Sequence, residues 1–200
     1  LEKLVEFIKT EIDTAFMGRP FVGSGPVLER DFAVKAGLGW VGKNTCLIHP
    51  KLGSFVFISV ILTNMDLSGR DAINRVSTHC GTCTKCLDAC PTQALEPHQL
   101  NQKQCLAYQA NAKKGERDRT LWSCFGESIL GCDLCQEVCP WNAKTPKTRQ
   151  KEWLNTFDKY AINDLRDLLQ MTETDFKERF KDSVFSRPYL DVMRNVFLVI

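Results

Sequence analysis

Nine of the ten cysteines lie between Cys80 and Cys139, seven of them in two spaced runs, and no other feature limits the fold of this chain as severely. Cys80, Cys83, Cys86 and Cys90 follow a C-x2-C-x2-C-x3-C pattern closed by Pro91, and Cys132, Cys135 and Cys139 follow C-x2-C-x3-C closed by Pro140. The N-terminus lacks the basic, apolar and small-residue order of a secretory signal, so a disulfide framework is the weaker explanation, because the cytosol keeps thiols reduced. Metal ligation is the stronger one. From about Asn74 to about Trp141 the composition turns to cysteine, threonine and proline with little periodicity, so ligation must stand in for a hydrophobic core there.

The first run has the spacing of bacterial two-cluster ferredoxins, in which three thiolates on a tight loop reach three irons of one 4Fe-4S cubane and the fourth cysteine ligates the other cluster. That fourth cysteine, Cys90, is expected to begin a helix, with Pro91 turning the chain. A single zinc needs only four thiolates in two close pairs and leaves the second run unexplained. By the crossover rule, Cys139 joins Cys80, Cys83 and Cys86 on cluster one, and Cys90 joins Cys132 and Cys135 on cluster two, which leaves one vacancy. Cys105 and Cys124 are the candidates. Cys105 is favoured because it follows the segment after Pro91 at a distance that permits a return, and Cys124 is then a spare thiol. Cys46, in an apolar stretch, reads as a buried free thiol. Two clusters this close in sequence relay single electrons rather than perform acid–base chemistry.

A metal-stapled relay needs only about 55 to 80 residues, so the rest of the 200 residues has another purpose. Leu1, Leu4, Val5, Ile8 and Ile12 recur at helical spacing, predicting an amphipathic helix over 1–14 that packs on something larger and ends at Gly18 and Pro20. A short strand at Phe21 and Val22, a turn at Ser24 to Pro26 and a helix from Leu28 to Ala36 closed by Gly37 follow. Cys46 to Ile48 and Phe55 to Thr63 read as strands, the second so continuously apolar that burial on both faces is expected. This is an α/β piece. Asn142 to Lys151 is a polar connection with Lys144, Lys147, Arg149 and Lys151 and no acid. Residues 160–200 return to helical patterning, with a capping box at Thr172 and Asp175 and three short helices. The first residue is Leu1, and a helix cut at Ile200 would leave Val196, Phe197 and Ile200 without burying partners, so a fragment is expected. No apolar run reaches the roughly 18 residues of a membrane-spanning helix, and the net charge of +2 does not by itself announce nucleic acid.

Taken together, Arg19 to Arg30 (RPFVGSGPVLER), Ala36 to Asn44 (AGLGWVGKN), Gly53 to Phe55, the Cys80 to Pro91 run and Gly131 to Asn142 (GCDLCQEVCPWN) resemble tRNA epoxyqueuosine reductases over nearly the whole chain. That family is related to the reductive dehalogenases. The resemblance implies cobalamin and two 4Fe-4S clusters that deoxygenate epoxyqueuosine to queuosine at the wobble position of certain tRNAs, the last step of queuosine synthesis. It implies Cys105 as the eighth cluster ligand, Lys43, Asn44, Leu47 and Ile58 lining the cobalamin site, and Leu106 facing the corrin. Glycines in the Gly39 to Asn44 loop would suit close approach to a cofactor. The fold expected is α+β: a partial α/β cobalamin-binding domain over 1–73, a two-cluster ferredoxin-like domain over 74–143, and a C-terminal helical segment over 144–200. The expected setting is a cytoplasmic monomer, off the membrane, fed by an external electron donor. Lys113, Lys114, Arg117, Arg119 and the Lys144 to Lys151 connection are the candidates to neutralise tRNA phosphates, and Trp122 and Trp141 the candidates to stack on bases.

One position departs from the family. Its members carry an aspartate, the proposed proton donor, in a strand-end V-D-S/T-A/G motif, and here that position is Gly23. Reductive opening of an epoxide consumes protons, so an acid is required. Glu29 and Asp31 are close in sequence, but a helix beginning near Leu28 is expected to hold them away from that strand end. The catalytic residue is thereby unassigned, and an electron-transfer protein that has lost catalysis, or a reductive dehalogenase-like enzyme, is the alternative.

Overall fold

The computed structural model describes all residues except 24, 69–75, 112–116, 127, 152–159, 163 and 184–185. The fold is α+β. Helix α1 (Glu2–Glu11) carries Glu2 in its first turn and Lys9 in its last, matching the helix dipole. None of its residues is buried, and Leu1, Leu4, Phe7 and Ile12 present their apolar side chains to the outside. Strand β1 (Gly18–Val22) pairs antiparallel with β4 (Ser59–Thr63), Gly18 opposite Thr63 and Val22 opposite Ser59. Gly18 and Pro20 therefore sit inside a strand rather than merely ending the helix. An edge strand with one neighbour tolerates proline, and a Cβ at Gly18 would stand 2.7 Å from the buried Phe16 ring.

Helix α2 (Glu29–Lys35) follows, closed beyond Ala36 by Gly37 at φ 70°. Two-residue strands β2 (Trp40–Val41) and β3 (Leu47–Ile48) pair antiparallel through a tight turn. Here the glycines answer to the protein itself: a Cβ at Gly39 would lie 2.1 Å from the Ile48 carbonyl oxygen. The apolar run from Phe55 is not a strand buried on both faces. The strand begins only at Ser59, and Phe55 and Phe57 are 54% and 77% exposed. Periodicity cannot separate a core strand from the apolar wall of an open cavity, and 55–58 form such a wall.

In the cysteine-rich part, the one-turn helices α3 (Lys85–Asp88) and α5 (Leu134–Glu137) pack side by side. Cys90 does not begin a helix. It follows α3, and after Pro91 the chain takes a left-handed turn at Gln93, φ 51°, into the hairpin β5 (Leu95–Glu96) and β6 (Gln99–Leu100). A 3-10 turn (Gln102–Gln104) then delivers Cys105 to the start of α4 (Leu106–Asn111).

Three C-terminal helices, α6 (Leu165–Leu169), α7 (Glu173–Phe180) and α8 (Tyr189–Val199), enclose Leu168, Phe176, Phe180, Val192, Met193 and Val196. Each such burial contributes about 1.5 to 3 kcal/mol. Thr172 caps α7, accepting from the Asp175 amide at 3.2 Å. Val196 is fully buried, contrary to the expectation that it lacks a partner, whereas Phe197 and Ile200 are exposed. Buried Asn195 donates to the carbonyls of Ala110 and Ile129 at 2.9 and 2.7 Å, tying α8 to the end of α4. Among the described residues no helix is long and apolar enough to cross a membrane.

Candidate metal centre and adjoining cavities

A cavity of about 150 Å3 is lined by Cys80, Cys83 and Cys86 from the first run and by Cys139 from the second. The packing of α3 on α5 brings the two runs together. Lys43, from the β2–β3 turn, donates from Nζ to the carbonyls of Gly81 and Cys83 at 2.8 and 3.0 Å, which fixes the loop that carries the first thiols. Asn44 is buried beside it, donating to the Cys135 carbonyl at 3.2 Å and accepting from the Cys46 amide at 3.2 Å. Both line this cavity. Burial pushes the Cys86 and Cys139 thiols above their ordinary value, and neighbouring thiols add to it.

Trp40 shields the same cavity. It packs with Cys139, Cys80 and Ile48, its ring edge-on to Trp141 at 4.8 Å and to His79 at 5.0 Å. At 2% exposure its indole N–H is buried without an acceptor among the described residues. A buried donor left unpaired beside thiols fits a sulfur-rich group that supplies the acceptor.

Cys90, Cys105, Cys132 and Cys135 form a second group. Burial pushes the Cys132 thiol up, and the nearby Cys135, Cys105 and Cys90 push it further. Cys90 Sγ accepts from the Ala94 amide at 3.3 Å. Leu106, next to Cys105, is buried with Ala110 and Phe125, where Cys124 and Cys132 also pack. Cys46 is half-buried rather than buried, and its thiol hydrogen-bonds to that of Cys135. This contact holds Cys46 below its ordinary value and pushes Cys135 up. Among the described residues, no three His, Cys, Asp or Glu side chains converge closely enough for one metal ion.

Two larger cavities share Glu29 and Arg30 in their linings. One, of about 750 Å3, opens between Gly23, Leu47, Ile58 and Gln136, and the other, of about 890 Å3, between Val41, His98, Cys105 and Tyr108. Leu47 and Ile58 thus face open space, Lys43 and Asn44 stand at the thiol cavity, and Leu106 lies under α4. Glu29 lines the first cavity together with Gly23, and α2 packs on β4, the partner strand of β1. Asp31 lines only the second.

Sequence reasoning overlooked three residues here: Trp40, Cys46 as a neighbour of Cys135, and Asn142. Asn142 joins the two parts of the site. Its Oδ1 accepts from the Ser54 amide at 2.7 Å, and its Nδ2 donates to Ser54 Oγ and the Gln136 carbonyl at 2.9 and 2.7 Å. Its place directly after a cysteine run was the available signal.

Of the candidate phosphate contacts, Lys113 and Lys114 lie outside the described residues. Arg117 pairs with Asp191 at 2.7 Å, and Arg119 stacks over Trp122. Lys144, Lys147, Arg149 and Lys151 are exposed. Trp141 faces the thiol cavity.

Residues 79–142 match the family model of a 4Fe-4S double cluster binding domain, so the chain carries an iron–sulfur cluster domain. An epoxyqueuosine reductase of Cellulophaga algicola is 38% identical over 98% of this chain and 63% of its own length. One of Xanthomonas campestris is 40% identical over 94% and 52%. A crystal structure of selenomethionine-labeled epoxyqueuosine reductase superposes with a TM-score of 0.86 at 30% identity, covering 98% of this chain and 52% of that one. A crystal structure of epoxyqueuosine reductase with an epoxyqueuosine-modified tRNA-Tyr stem loop gives 0.84 at 30%, covering 98% and 51%. The chain spans roughly half to just under two thirds of the length of these relatives. Along nearly all of its own length the chain is similar in sequence and in fold to epoxyqueuosine reductases.

Proposed function

We propose that the chain takes part in reducing epoxyqueuosine to queuosine in tRNA, with electrons from an external one-electron donor passing through two 4Fe-4S clusters. Cys80, Cys83, Cys86 and Cys139 hold the first cluster, and Cys90, Cys105, Cys132 and Cys135 the second. One observation carries this reading: Cys139 lines the cavity of the opposite run's trio, which is the interleaving that two neighbouring cubanes require. Lys43 holds the first cluster's loop, and Asn44 ties the edge of that cavity to the second run at Cys135. The 1–73, 74–143 and 144–200 segments act as cofactor platform, relay and support.

The two large cavities at Glu29 and Arg30 combine an apolar wall from 55–58 with polar groups, the surroundings a corrin with amide arms needs. Cobalamin bound there supplies a low-potential metal centre for breaking a carbon–oxygen bond. Leu47 and Ile58 bound its space, Leu106 braces α4 behind Cys105, and the exposed Lys144 to Lys151 side chains approach tRNA phosphates.

About eight irons and eight sulfides per chain are expected, falling to about half in Cys139→Ser. The full-length protein, given cobalamin and a strong reductant, is expected to convert epoxyqueuosine-containing tRNA. Intact clusters with neither corrin binding nor product would refute the reading. Gly23 favours a second reading, an electron carrier without catalysis. Gly23→Asp separates the two: around Gly23 nothing lies within 4 Å of an added Cβ, and at φ 67° the cost to aspartate is about 1 kcal/mol. A reductase keeps or gains turnover in that variant, and a carrier shows none in either form.

A further inference from the structure

We propose that Glu29 is the acid that delivers a proton to the opening epoxide, standing in for the carboxylate that Gly23 does not provide; this rests on the reductase reading above. Three observations converge on it. Glu29 lines both large cavities, the spaces in which a substrate and a large cofactor would lie. Its Oε1 is enclosed and has no hydrogen-bond partner among the described residues. A buried carboxyl oxygen without a partner costs about 1 to 3 kcal/mol, and a fold retains such a group where a ligand or a transferred proton completes it. Finally, Gly23 lines the same cavity, and among the described residues beyond its chain neighbours nothing lies within 4 Å of where a Cβ would stand.

The chemistry balances. The two epoxide carbon–oxygen bonds break, a carbon–carbon double bond forms, and two electrons and two protons convert the oxygen to water. The electrons come singly from the external donor through the clusters. One proton comes from the Glu29 carboxyl, which is recharged from solvent through the open cavity, and the second comes from solvent directly. Arg30, beside Glu29, is anchored by donating to the Thr45 carbonyl. That contact fixes the start of α2 and with it the position of Glu29.

The test uses the full-length, cluster-loaded protein with cobalamin and an epoxyqueuosine-containing tRNA stem loop. Glu29→Gln is expected to lower single-turnover reduction by 100-fold or more, the usual scale for loss of a general acid, with iron content and cluster spectra unchanged. Acetate is expected to rescue Glu29→Ala, which a merely structural role does not allow. Turnover of Glu29→Gln within tenfold of the unsubstituted protein, or an Ala variant that acetate cannot rescue, overturns the proposal. An independent readout is infrared difference spectroscopy on reduction, where a carboxyl band is expected that Glu29→Gln removes. Without that band the proposal fails whatever the turnover. If the band is present while the unsubstituted protein turns over no epoxide, Glu29 stands as the proton-carrying group and the reductase reading falls.

Discussion

Asn142→Ala is the sharpest test of what couples the cluster domain to the α/β piece. The side chain makes three hydrogen bonds of 2.7 to 2.9 Å, two to Ser54 and one to the Gln136 carbonyl. Ser54 is only 6% exposed, so truncation strands its amide in a place water reaches poorly, while its hydroxyl keeps Gln136 Oε1 at 2.9 Å. With about 1 kcal/mol net for each bond, the loss comes to about 2 to 3 kcal/mol. Because the clusters are destroyed on unfolding, the quantity to measure is a rate. If the contact is broken before the clusters are released, that loss corresponds to roughly 30- to 150-fold faster bleaching of the iron–sulfur absorption under anaerobic denaturant. Asn142→Asp keeps the acceptor for the Ser54 amide and should fall between the two. The Ser54→Ala/Asn142→Ala cycle should be non-additive, since the two side chains touch. Bleaching of Asn142→Ala within twofold of the unsubstituted chain, or strict additivity, would refute the coupling.

Trp40→Phe removes the unpaired indole N–H while keeping an aromatic shield beside Cys80 and Cys139. The cluster bound by those thiols should shift to a lower midpoint potential, seen by redox titration followed by electron paramagnetic resonance, with the other cluster unmoved; equal shifts in both would argue against it. Burial and neighbouring thiols raise Cys86, Cys132 and Cys139 above the ordinary 9.0. For a raised value, the stabilisation is complete below the unfolded value and is lost as pH climbs through the folded one. The cluster-free chain should therefore melt earlier above about pH 9, and the loaded protein, whose thiols have already given up their protons, should not.

The spacing of the cysteines was legible as iron–sulfur chemistry because a C-x2-C loop is a short-range geometry that three or four residues settle among themselves. The α2 boundaries, its Gly37 stop and the Thr172 cap were legible for the same local reason. Misreadings arose where a partner distant in sequence decides. Pro20 can lie in β1 only because β4 is its single neighbour, and the apolar 55–58 run becomes a cavity wall only because the start of α2 faces it. Cys90 precedes a hairpin instead of a helix because Gln93 turns left-handed, which its side chain does not announce. Glu29 is the clearest case. From sequence its relation to Gly23 depends on the path of one turn, and in the fold, where α2 packs on β2, β3 and β4, both residues line one cavity. Local spacing thus determined the kind of metal chemistry. Long-range packing of α3 on α5 and of α2 on β4 decided which thiols share a space and which acid lines a cavity with Gly23, because such contacts are settled by the whole chain's burial rather than by any one segment.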